Sequence, residues 1–265
     1  VFVSGALAGR TGRGYSGAMI LQTRLPYDPD TARPLPNIGP IAMSEWLLAD
    51  EAYGAQMAER ARLLAERRED VVQLDPGARP AADELLEVVL ENLPAGVSRC
   101  GETVHRPDGE TVTLDRDDPL GTLSRLVQED LCILEKRPGS DEHVLTGALL
   151  CFPASWRLSA KFMHPLVHIH IPVADYDDAL ARRVQRLFDG IQAGRPLMRF
   201  NRLWYQDATL HQPVSRQHRP SAQTESAPFF RSERQCLVRL PRTGAVAFTI
   251  HTYVLERETV LGLSA

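Results

Sequence analysis

The sequence predicts an α+β fold, in which a helical N-terminal part packs on a later antiparallel sheet. Three observations carry this. Between residues 41 and 96 apolar side chains recur at helical spacing. Beyond residue 130 they run in short apolar blocks or alternate, as strands do. Near the C-terminus, two strand-like segments, 230–240 and 245–255, flank Pro241-Arg242-Thr243-Gly244. Proline presets the φ angle of a turn and glycine accepts the left-handed conformation that closes it, so the pair reads as a long antiparallel hairpin.

Taken in order, residues 1–40 are irregular, because Gly and Pro recur and residues 34–40 hold three prolines. Ser44 is a suitable N-cap for a helix reaching about Asp70. Its buried stripe is Trp46, Tyr53, Met57, Ala61 and Leu64, with Glu51, Glu59, Arg60, Glu66 and Arg67 on the other side. A second helix spans residues 81–93 and stops at Pro94-Ala95-Gly96. Residues 97–119 are polar and turn-rich, with a hairpin-like turn at Pro107-Asp108-Gly109. A helix over 120–130 runs into a strand over 131–135, which pairs with the apolar run 145–152 across the turn at 137–140. Asp175 caps a helix over 176–193, and Gly194 ends it. Residues 197–205 form another strand, and the Ser/Gln/Pro/His-rich stretch 206–228 is a long loop or lid. In the last strand Val246, Phe248, Ile250, Thr252 and Val254 share one face, and Ala245, Ala247, Thr249, His251 and Tyr253 the other, the pattern of a half-buried strand. No repeat or linker divides the chain. It is read as one domain, with an irregular segment 1–40, a helical part 41–96 and a sheet-containing core 97–265.

Composition narrows the functional classes. The formal net charge of −4 gives no electrostatic footprint for nucleic acid. No apolar run approaches the roughly 20 residues of a membrane span. The apolar opening stretch lacks a basic segment before it and is not read as a signal peptide. Four scattered cysteines, without a Cys-x2-Cys pair, argue against a zinc ribbon, an iron–sulfur cluster held by this chain or a disulfide framework, and the expected setting is the reducing cytoplasm.

Three groups of residues could carry chemistry. His164, His168 and His170 stand close together, and on a strand His168 and His170 share a face. They fit a mononuclear metal site with His164 or His211 as a third ligand, or one imidazole as an axial haem ligand, or ordinary partly exposed histidines. Glu129 and Asp130 sit at a helix–strand junction, where such carboxylates usually face solvent. The alternative is that one turns inward as a proton donor or an anion for a bound amine. Arg231, Glu233, Arg234 and Arg239 lie inside a strand-like run. They are either the solvated charges of an edge strand or an internal cluster gripping an anion.

The hairpin motif Ser232-Glu233-Arg234-Gln235, then Leu240-Pro241-Arg242-Thr243-Gly244-Ala245, then Phe248-Thr249-Ile250 and Thr252-Tyr253, resembles the haem-dependent oxidative N-demethylase alpha-subunit family. Further matches follow the same order. They are Trp46-Leu47, Asp50 and Tyr53, Met57 through Leu64, Glu84-Leu85-Leu86, Leu93-Pro94, Val127 through Leu134, Cys151-Phe152-Pro153 with Trp156, Lys161, Ile169 through Val173, and Arg199 with Asn201. Two positions depart from the pattern: His168 is not commonly a histidine there, and the family's Trp after Arg-x-Asn is displaced to Trp204.

The resemblance implies a PAS-like antiparallel sheet with helices over a pocket, binding haem b. It implies oxidative N-demethylation of a small secondary amine such as dimethylamine, using O2 and releasing formaldehyde. Electrons would come from a separate flavin and iron–sulfur reductase. On this resemblance His170 is the axial iron ligand, with His168 as the competing or pocket histidine. Arg199, Arg231 and Arg234 are partners for the haem propionates. Glu233, Glu129 and Asp130 are candidates to hold or deprotonate the amine. Two other functions remain open at this point: a haem-binding PAS-like sensor module, and a mononuclear non-haem iron enzyme using His164, His168 and His170.

Overall fold

A computed structural model describes residues 19–31, 37–166, 169, 178–213 and 226–263. Within them the chain forms β1 (Gly39–Pro40), α1 (Tyr53–Val71), β2 (Val72–Leu74), α2 (Arg79–Glu91), β3 (Ser98–Cys100), β4 (Thr103–His105), β5 (Thr111–Thr113) and α3 (Pro119–Leu123). Then come β6 (Asp130–Lys136), β7 (His143–Leu149), α4 (Asp178–Gly190), β8 (Leu197–Phe200), β9 (Leu203–Tyr205), β10 (Phe229–Arg239), β11 (Val246–Glu256) and α5 (Arg257–Leu263). The main sheet runs β1–β8–β10–β11–β6–β7–β2, with β9 also on β10, and every neighbour is antiparallel. A second, three-stranded antiparallel sheet is β3–β4–β5. The fold is thus α+β, with two antiparallel sheets and N-terminal helices.

The terminal hairpin forms the centre of the sheet. Phe229 pairs with Glu256 and Arg239 with Val246, an unbroken register over the whole of both strands. Gly244 closes the turn at φ 72°, a conformation that favours glycine. The turn is held from outside its own strands: the carboxylate of Glu84, on α2, accepts from the backbone N–H groups of Arg242 (2.5 Å) and Thr243 (2.7 Å). β10 is not an edge strand. It lies between β11 and β8, so the charged side chains within it are interior, as Arg231, Glu233 and Arg234 show by their burial.

Side chains alternate between two cores. Leu131, Ile133, Cys236, Val238 and Ala247 meet Trp46, Leu63, Leu85 and Val89 from the N-terminal part. Cys132, Leu134, Leu237, Val246 and Ile250 meet Leu158, Leu166, Phe188 and Ile191. Both faces of β11 are covered, so it is buried along most of its length, with Phe248 partly buried, rather than on one face only as its alternation suggested.

The first helix departs most from expectation. It begins at Tyr53, after a single 3-10 turn at Met43–Glu45. Between them the backbone makes its hydrogen bonds to side chains from elsewhere in the chain. Arg234 donates to the Glu45 and Trp46 carbonyls, and the N–H groups of Leu48 and Asp50 donate to Glu129 and Gln128. Those groups are then not available to a helix. The buried stripe is rotated as well: Gln56, Met57, Arg60 and Leu63 face inward, and Arg60, expected on the solvent side, is wholly buried. The expected strand over 197–205 divides into β8 and β9, and the turn-rich stretch after residue 97 carries the small sheet, whose Pro107-Asp108-Gly109 turn joins β4 to β5.

Candidate functional site

On the sheet face toward the N-terminal helices, buried ionisable groups meet partners of opposite charge. Arg60 and Asp130, both fully buried, pair at 2.8 Å. Asp130 also accepts from the N–H groups of Cys151 (2.8 Å) and Phe152 (2.7 Å), fixing the end of β7 against the start of β6. His251 lies between two carboxylates, with Nδ1 at 3.0 Å from Glu129 and Nε2 at 3.0 Å from Asp50. Carboxylates only accept, so the ring donates from both nitrogens as an imidazolium. Burial opposes that charge, but Glu129 and Asp50 outweigh it and raise the His251 pKa to about 9. Burial likewise opposes ionisation of Asp50, yet hydrogen bonds from His251, Gln128 and Gln22 lower its pKa to about 2. Arg234 donates to the carbonyls of Trp46 (2.9 Å) and Glu45 (2.5 Å).

The other face of the same strands holds a cavity of about 260 Å³. Its apolar walls come from β6, β7, β10 and β11 on one side and from Val184, Leu187 and Phe188 of α4 on the other, with Trp156, Leu166 and Ile169 beside them. Four polar side chains line it: Glu233, Gln235, Arg199 and Lys161. Glu233 Oε2 accepts from Asn201 (2.7 Å) and Gln235 (3.0 Å). Among the described residues its Oε1 is buried without a hydrogen-bond partner, and the nearest guanidinium, Arg231, is 3.9 Å away. Burial raises the Glu233 pKa, against the opposing effects of Arg231, Asn201 and Gln235. Arg199 Nε is also buried without a hydrogen-bond partner among the described residues.

The structure therefore separates the residues singled out from sequence. Glu233 and Arg199 line the cavity together. Glu129 and Asp130 do not; they are buried rather than solvent-facing, and each is tied into the opposite-face network. Arg231 and Arg234 do not line it either. Arg231 donates to the carbonyls of Leu210 (3.0 Å) and Phe152 (2.6 Å), so it ties β10 to both of those backbone segments. His168 and His170 lie outside the described residues, although Leu166 and Ile169, from the same segment, line the cavity. His211 donates from Nδ1 to the Cys151 carbonyl (2.8 Å). Among the described residues no group of three His, Cys, Asp or Glu side chains is placed so that it could hold a metal ion. Sequence reading missed Asn201 as the group orienting Glu233, and Asp50 and His251 as partners of Glu129. For His251 a trace was present: it is the one residue of the alternating run 245–255 whose ordinary pKa lies near neutral pH.

The α+β fold thus holds a cavity between sheet and helix, apolar but for a few polar groups, one of them a buried carboxyl with a raised pKa. The family model for haem-dependent oxidative N-demethylase, alpha subunit-like, matches residues 37–261, and the chain belongs to that family. Membership carries, in general terms, a haem-dependent oxidative demethylase type of function and thus an oxidoreductase-type enzyme. Among the described residues, no helix is long and apolar enough to cross a membrane.

Proposed function

We propose that the chain is the haem-binding subunit of an oxidative N-demethylase, that its fold is PAS-like, and that the cavity beneath β10 and β11 is its active site. The observation that carries this is Glu233, a buried carboxyl in an apolar cavity with one oxygen left unpartnered. A small alkylammonium supplies the N–H donor and the positive charge that this oxygen lacks. Entry of the cation favours the ionised carboxyl, and Glu233 can then accept the proton that the amine must lose before its nitrogen is oxidised. Asn201 and Gln235 hold the other oxygen and so fix which one faces the substrate.

The residues present fit a haem. The walls are apolar, and Arg199 offers a buried N–H with no partner among the described residues, suited to a propionate. His170 is the proposed axial ligand, with His168 beside it, in the segment that reaches the cavity through Leu166 and Ile169. When bound, haem supplies the site for O2 and for electrons delivered by a separate flavin and iron–sulfur reductase. The amine leaves one methyl group as formaldehyde.

The test is a spectrum of protein made in haem-replete cells, followed by assay of formaldehyde from dimethylamine with a reductase. A Soret band that shifts on reduction, together with formaldehyde release, is expected. A colourless protein that also fails to take up added haem would overturn the proposal.

A further inference from the structure

Of the 30 basic side chains in the sequence only two are lysines, Lys136 and Lys161. Lys136 is a surface residue paired with Asp189 at 3.1 Å. Lys161 lines the cavity, with Nζ 4.4 Å from the ring centroid of Trp156. Among the described residues no carboxylate lies within ion-pair distance of it. Burial lowers its pKa, against the influence of Cys132 and Glu233. A chain that uses arginine almost everywhere has here a group that can lose its proton, whereas a guanidinium stays charged. A half-buried, unpaired amine in an apolar cavity is the setting that activates lysine toward carbonyl carbon.

We propose that Lys161 is a covalent, reversible binding site for small aldehydes. The neutral Nζ attacks the carbonyl carbon, forming a C–N bond while the π pair moves to oxygen. Transfer of a proton from nitrogen to that oxygen gives the carbinolamine. The nitrogen lone pair then expels the hydroxyl as water, taking its proton from the carboxyl of Glu233, and leaves an iminium cation beside a carboxylate. Glu233 lines the same cavity, and its burial raises its pKa, which favours the protonated carboxyl that this step uses. Water reverses the sequence and frees the aldehyde. With formaldehyde, Lys161 would hold the product of the proposed demethylation until it leaves. The inference rests on that reading only for where the aldehyde originates.

The experiment therefore supplies formaldehyde from outside. The folded protein, with and without haem, is treated briefly with formaldehyde and cyanoborohydride near neutral pH, and methylated lysines are mapped by peptide mass. Lys136 is the internal control. Methylation of Lys161 several-fold faster than of Lys136, in both preparations, is expected, and Lys161→Arg should remove it while leaving the Lys136 rate unchanged. Equal or slower methylation of Lys161 overturns the proposal. So does methylation confined to haem-free protein, because the amine would then serve the cofactor. Neither result depends on demethylase turnover, so a protein inactive toward amines can still sustain this inference, and an active one can still refute it.

Discussion

The two faces of β10 and β11 use buried charge in opposite ways. Toward the N-terminal helices, Arg60 meets Asp130 and His251 meets both Glu129 and Asp50, each within 3.0 Å. Toward α4, among the described residues, Glu233 has its nearest cation at 3.9 Å and leaves one oxygen without a hydrogen bond. Arg199 and Lys161 make no ion pair among the described residues. Neighbouring residues on one strand thus experience different chemistry. Arg234 spends its donors on the 45–46 backbone, while Glu233, one position earlier, faces a cavity. A buried charge that is matched holds segments together. One left unmatched costs stability unless a ligand completes it, and on that ground the cavity face is the proposed site.

The sharpest way to break this comparison is to change one group on each face. Glu233→Gln keeps shape and hydrogen bonding but cannot accept a proton. Amine turnover should fall about 10²- to 10⁴-fold, with little change in the unfolding midpoint. Near-normal turnover would remove Glu233 from the mechanism. On the opposite face, Arg60→Ala leaves Asp130 buried without its cation. Loss of about 3–5 kcal/mol is expected by urea unfolding, the cost typical of breaking a buried pair from one side. A loss below about 1 kcal/mol would show that Asp130 is sustained by the Cys151 and Phe152 N–H groups alone.

The comparison also explains what the sequence could reveal. The hairpin was legible because its signals are local: an alternating run, a Pro-to-Gly turn and a second run. Glu233 and Arg199 were singled out through their motifs, and both line one cavity. The matched face was not legible. Arg60 and Asp130 are 70 residues apart, and His251 and Asp50 are 201 apart. Nothing near Arg60 distinguishes it from the solvated arginines of the same helix. The same long-range bonds misplaced the start of α1, because the backbone between Glu45 and Asp50 is bonded to Arg234, Glu129 and Gln128. Local pattern describes a segment's own preferences, and here distant side chains override them.

His251 offers the finest test of the matched face, because its charge can be removed by pH alone. Its folded pKa, about 9, lies above the ordinary value of 6.5 that it regains on unfolding. The folded state therefore binds the proton more tightly. The stabilisation from the imidazolium is complete below about pH 6.5 and is lost as pH rises through about 9. The size of that contribution is on the order of 3 kcal/mol. Other groups titrate in this range, so the useful quantity is the difference in unfolding free energy between the wild type and His251→Gln. That difference should be largest near pH 6 and shrink steadily toward pH 10. A flat difference would mean that the ring binds its proton no more tightly in the folded protein than in the unfolded one. Glu129 and Asp50 would then not act as its counter-charges, and the contrast between the two faces would rest on Arg60 and Asp130 alone.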